Sequence, residues 1–177
     1  MCGIIAVLRE RDSRPALAPD TILNTLTGIR DDFVPAGSDL VALAAWLPEA
    51  ARRLASVDDL LRSMPGVRLL TLDLAVCNTV AGLCAEIQES VLGVEQQLDA
   101  LAPGEGGASL EQVNAALIEV KDNLWAVQRD RVRNARAIVD LASGSPKSSA
   151  VPGLWSIQAA LSSIDRLEVR GRDSAGI

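Results

Sequence analysis

The sequence predicts a mainly helical chain with a short N-terminal strand attached to it, and three observations carry that prediction. Of the 177 residues 49% are hydrophobic but only 2% aromatic, with no His and no Tyr. The core therefore has to be aliphatic and Ala-rich, as closely packed helices supply, whereas a β-sandwich would use more aromatic residues. Apolar residues recur at spacings of three and four through much of residues 74–141, the periodicity of helices that bury one face. Cys2 to Leu8 departs from this rule. It is a short continuous apolar run with β-branched residues that stops at Arg9-Glu10-Arg11, the pattern of a strand buried on both faces.

The elements follow in order. Pro15 and Pro19 punctuate a connection behind the strand. Asp20 can cap a short helix through about Ile29, and Ser38 a longer one to about Met64, which Pro48 kinks or divides. Pro65-Gly66 reads as a break. Leu74, Cys77, Ala81, Cys84, Ile87, Val91, Val94, Leu98 and Leu101 then share one helical face. Leu110, Val113, Leu117, Val120, Leu124 and Val127 share another, in a pattern that continues less cleanly to about Leu141. Pro103 to Gly107 separates the two stretches, and Ser109 with Gln112 behind it reads as a capping box. The expectation is an antiparallel helical hairpin whose arms, at about 30 residues each, extend roughly 40 to 50 Å. Ser143 to Ser149 is a second linker, after which Leu154, Ile157, Leu161, Ile164 and Leu167 recur at helical spacing.

Composition excludes several functions. A formal net charge of −6 argues against a nucleic-acid-binding domain. Without His there is no Ser-His-Asp or Cys-His catalysis, no HExxH metal site and no Cys2His2 finger. The three cysteines, Cys2, Cys77 and Cys84, form no CxxC pair and are too sparse for a disulfide scaffold, so a reducing cytoplasm is the expected compartment. No metal and no cofactor are expected. Leu74 to Ala85, the longest strongly apolar uncharged stretch, falls well short of the roughly 18 to 20 residues that cross a bilayer, so no membrane contact is expected either. Cys77 and Cys84 lie on one helical face and read as small core residues. Arg129, Arg131, Arg133 and Arg136, interleaved with Asp130, form a basic cluster, usually a solvated helix face and less often a seat for an anionic partner.

Cys2 carries the most chemistry. Removal of Met1 would place a thiol, with a pKa of about 8.5, beside an α-amine of about 7.7 to 8, so the amine could take and return the thiol proton without any His. Taken alone, Cys2 reads as an incidental small apolar residue opening a strand. Met1-Cys2-Gly3-Ile4-Ile5 at the front, and Leu167-Glu168-Val169-Arg170-Gly171-Arg172-Asp173-Ser174-Ala175-Gly176-Ile177 behind a helix, together resemble the class II glutamine amidotransferases. Within that N-terminal-nucleophile family the ends are most similar to the glutaminase domain of glucosamine-6-phosphate synthase, with amidophosphoribosyltransferase the nearby alternative.

The resemblance implies an α+β N-terminal-nucleophile (αββα) hydrolase domain. Residues 1–17 would supply its first strand, 151–177 its first helix and motif, and 18–150 would be an inserted helical lobe. Cys2 would attack glutamine, form a thioester and release ammonia, while Arg170 and Gly171 shape the substrate pocket. A sugar-phosphate acceptor would be served by domains beyond Ile177. Val169 and Arg172 depart from the family's motif, and no Thr-His-Gly or Asn-Gly segment follows. The chain is therefore expected to be the front part of a longer enzyme, inactive by itself. Its lobe is expected to mediate homo-oligomerisation or contact with another protein. A helical protein-interaction module with idle amidotransferase ends is the alternative function.

Overall fold

Aliphatic residues three and four apart give each long segment one face that water disfavours, and such helices lower their free energy by turning those faces together. The computed structural model describes the backbone of residues 13–36, 40–100 and 107–174 together with Val7, and the side chains of these except 34–36, 107–109 and 165–174. The elements are α1 (Pro19–Ala36), α2 (Leu40–Arg62), α3 (Met64–Leu72), α4 (Leu74–Asp99), α5 (Gly107–Trp125), a π-helical segment (Ala126–Val132), α6 (Arg133–Leu141) and α7 (Val151–Ser174). Buried stripes run along α1 (Ile22, Leu26, Ile29, Phe33), α2 (Leu43, Leu47, Leu54, Val57, Leu61), α4 (Cys77, Val80, Cys84, Ile87, Val91) and α5 (Val113, Leu117, Val120, Leu124). They merge into one core.

Side-chain pairs give the direction of each helix. Phe33 meets Trp46 with ring centroids 4.4 Å apart, and Arg53 reaches back to Asp32 and the Thr25 carbonyl, so α1 and α2 are antiparallel. Asn123 donates to the Ala51 carbonyl and Arg131 to Asp58, so α5 and its continuation run parallel to α2. Lys121 pairs with Glu95 and Arg136 with Asn78, which makes α4 antiparallel to both. The path is up, down, up, down, but α3 carries the chain across the bundle. As a result α4 lies along α1 and α5 along α2. The expected hairpin of the two long arms is thus joined in sequence, while each arm packs mainly on an earlier helix.

Pro65-Gly66 does not break the chain as expected; it opens α3. Ser63, extended at φ −67 and ψ 156, ends α2 and accepts a hydrogen bond from the Gly66 N–H at 3.2 Å. Pro65 occupies the first turn, where its missing N–H costs nothing. Gly66 is required by proximity, because a Cβ there would sit on the Leu60 carbonyl oxygen and the Leu61 Cα. Asp73 then ends α3 through its N–H to the Leu69 carbonyl and caps α4 by accepting from the Val76 N–H, both at 3.1 Å. The two helices meet at 102°. Pro48 lies exposed within α2, which continues through it.

The αββα part of the expected fold is corrected. Among the described residues every regular element is helical and none is a strand. The strand expected at Cys2–Leu8 lies outside the described residues except for Val7, which belongs to no regular element. A strand needs neighbours to satisfy its N–H and C=O groups, and no described segment forms one. At the other end α7 continues through Arg170 and Gly171 to Ser174. The resemblance to class II glutamine amidotransferases is overturned for the same reason: that domain is α/β, and this chain is helical throughout its described elements. Two short motifs at the ends of a sequence carry no hydrogen-bonding scaffold with them. No single described helix is long and apolar enough to cross a membrane.

Candidate functional site

The polar chemistry concentrates at one end of the bundle, where α2 finishes, α3 crosses, α5 passes into the π segment, and α7 lies on α3 and α6. The π segment originates in the spacing of inward residues. They recur at three and four up to Val127, after which the next fully buried position is Val132, a step of five. An α-helix cannot bring both to one face, whereas a π insertion absorbs the extra residue. The wider turn also directs Arg131 inward beside Val132.

Arg131 meets Asp58, whose side chain is only 6% exposed in the last part of α2. Arg131 Nε donates to Oδ1 at 2.7 Å and Nη2 to Oδ2 at 3.2 Å, a two-pronged pairing, and Arg62 Nη2 donates to Oδ2 at 2.6 Å. Burial pushes the Asp58 carboxyl upward, but the hydrogen bonds and charges of Arg131 and Arg62 outweigh it and hold the pKa below the ordinary value. Asp58 is therefore ionised at neutral pH, with both oxygens engaged, and is unsuited to act as a base. Its role is to fix the π segment against α2.

Two clefts flank this pair. A small one, about 100 Å³, lies between Leu61, Val67, Ile138 and Trp155 and touches Arg62 and Arg131. A wider one, about 310 Å³, runs between the π segment and α7, lined by Trp125, Arg129, Asp130, Arg133, Asn134, Gln158 and Ser162. Arg129 and Arg133 are exposed, and neither makes an ion pair among the described residues. Trp125 is 56% exposed at the same wall. On α7, Val151 is buried with Val67 and Ile138, and Leu154 and Trp155 pack on them. Ile157, Leu161 and Ile164 face outward at 52%, 44% and 53% exposure.

The residues singled out from sequence fare differently. Cys2 lies outside the described residues. Arg170 and Gly171 fall in the last turns of α7, with side chains outside the described set. Cys77 and Cys84 are buried in the core without a disulfide, and burial raises both thiol pKa values, that of Cys84 to about 12, so neither is a nucleophile at neutral pH. Among the described residues no group of His, Cys, Asp or Glu could hold a metal ion. Sequence reasoning missed Asp58, a charged residue inside an apolar stripe. The step of five between Val127 and Val132 was the available sign of its partner helix.

No family model matches this chain, no curated protein matches it, and no solved structure matches it.

Proposed function

We propose that the chain is a helical protein-interaction module that takes an acidic segment of a partner protein along the Arg129–Arg133 wall. The observation that carries this reading is a pair of exposed arginines that make no ion pair among the described residues, lining a cleft of about 310 Å³ with Asp130 between them on a chain of net charge −6. Guanidinium groups recognise carboxylates in a two-pronged geometry, and two of them about one turn apart match glutamates at helical spacing on a bound segment. Exposed Trp125 beside them offers the aromatic surface on which such contacts centre. The Asp58–Arg131 pair holds this wall in register with α2, so the receiving surface is rigid before a partner arrives. Among the described residues nothing supports glutamine amidotransfer through Cys2, since the scaffold that would present its thiol is not among them.

The test is a binding titration of a labelled amphipathic peptide with glutamates on one face, read by fluorescence anisotropy. Arg129→Glu with Arg133→Glu is expected to weaken binding at least about tenfold, or roughly 1.4 kcal/mol, and added salt is expected to weaken binding to the unmodified chain. Equal affinity of the double variant, or equally tight binding of the matching lysine peptide, would overturn the reading.

A further inference from the structure

Only the first turns of α7 are anchored in the molecule. Val151 lies in a small core with Val67 and Ile138, Leu154 and Trp155 pack against it, and α7 meets the rest of the chain mainly through α3 and α6. Beyond Trp155, Ile157, Leu161 and Ile164 stay exposed at steps of four and three, which set them along one stripe of the helix. Single apolar residues scattered over a surface need no explanation, whereas contiguous apolar patches mark sites of contact. The same stretch is free of charge. None of residues 151–164 is Asp, Glu, Lys or Arg in a chain that is 23% charged, and the first charged position on α7 is Asp165. Depletion of charge around apolar side chains is the composition of an interface centre. Beside the stripe stand the small residues Ala160 and Ser163, so a second helix can approach closely.

We propose that a second copy of the chain docks on this stripe, α7 against α7, in antiparallel pairing about a twofold axis at Leu161. The spacing selects a copy as the occupant. Ile157 lies four residues before Leu161 and Ile164 three after it, so turning the helix end for end about Leu161 puts apolar residues opposite apolar residues. Ile157 of one protomer then meets Ile164 of its partner, and Leu161 meets Leu161. A twofold contact requires this self-complementarity. Charge points the same way. Two chains of net charge −6 repel, and their approach is least opposed across a face that carries none of that charge. An acidic partner segment gains no counter-charge here; its seat is the Arg129–Arg133 wall. Gln158 and Ser162, which line the cleft at that wall, stand about 100° round α7 from Ile157 and Leu161, so the two surfaces are distinct.

Sedimentation equilibrium of the full chain tests the assignment. One helix face is a small contact, so a monomer–dimer equilibrium with a dissociation constant of about 10 to 100 µM is expected. Leu161→Glu, at an exposed position where circular dichroism should be unchanged, sets two carboxylates together on the axis and is expected to weaken association at least about tenfold. Ile118→Glu, equally exposed but on α5, adds the same charge and is expected to leave association intact. The direction of pairing has its own readout. Ile157→Glu and Ile164→Lys should each weaken self-association, and their equimolar mixture should recover it, because only antiparallel helices bring the new carboxylate against the new ammonium. This pair also decides the matter should Leu161→Glu fail to fold. A chain that stays monomeric up to about 500 µM, unchanged association of the Leu161→Glu variant, an equal loss in the Ile118→Glu variant, or no recovery in the mixture would overturn the proposal.

Discussion

The four-helix body and the crossing end of this molecule solve the same problem by different means. In the body, α1, α2, α4 and α5 bury unbroken aliphatic stripes, and helix direction is set by how those stripes meet. At the crossing end the helices are interrupted by the turn into α3, the bend at Asp73 and the π segment, and an ion pair is buried among them. The difference teaches where specificity resides. Aliphatic contacts are non-directional and tolerate small slides, whereas the two-pronged Asp58–Arg131 pairing allows one register.

Removing one half of that pairing should break the contrast most severely. Asp58→Ala leaves Arg131 largely buried without its counter-charge and is expected to lower stability by about 3 to 5 kcal/mol in urea unfolding, with Asp58→Leu combined with Arg131→Met recovering most of the loss. A double variant as unstable as the single one would show that the pair is structural in some other way. In the body, Leu54→Ala, at a fully buried position, is expected to cost about 3 kcal/mol by leaving a cavity. The same measurement should find it insensitive to pH.

Gly66→Ala probes the joint between the regions. The added methyl meets backbone atoms of Leu60 and Leu61, which cannot move aside as a side chain would, so a loss of about 1 to 3 kcal/mol is expected. If thermal melting shows no loss, α3 is not held as closely under α2 as the geometry indicates.

Acid sharpens the comparison further. The Asp58 carboxyl has its pKa depressed in the folded chain, so it binds fewer protons folded than unfolded as pH falls. Its contribution is complete above the ordinary carboxylate value, near about 4, and is lost as pH drops through the lower folded value. The unmodified chain should therefore lose stability relative to the Asp58→Leu with Arg131→Met variant below about pH 4. A constant difference down to low pH would contradict the direction of the shift. The smallest expected effect concerns the body alone. Cys84, buried with its pKa raised to about 12, should react with a thiol reagent at neutral pH only in denaturant, and labelling of the native chain would show that the core is open.

Legibility followed the same division. The stripes of α4 and α5 were readable because burial on one face imposes a period of three and four, and Cys77 and Cys84 sit in the core for that reason. The helix after the second linker was readable on the same grounds, although α7 extends farther than its apolar spacing indicated. Pro65-Gly66 misled because the same dipeptide suits a turn and a tightly packed helix start; Leu60 and Leu61 decide between them, and they are near only after folding. The resemblance of the two ends misled because a motif does not contain the sheet it would need. In the candidate site, the arginine cluster was visible, but its division into Arg131 turned inward to Asp58 and Arg129 and Arg133 left outward depends on the π turn.

Sequence by itself determined that the described chain is largely helical, which faces of its long helices are buried and that a linker follows Leu141, because those features follow from local spacing and composition. Tertiary structure alone decided that α4 lies on α1 and α5 on α2, and that Asp58 is charged inside the protein. Each of these depends on groups far apart in the chain arriving at hydrogen-bonding or van der Waals distance, and no local pattern of residues encodes that meeting.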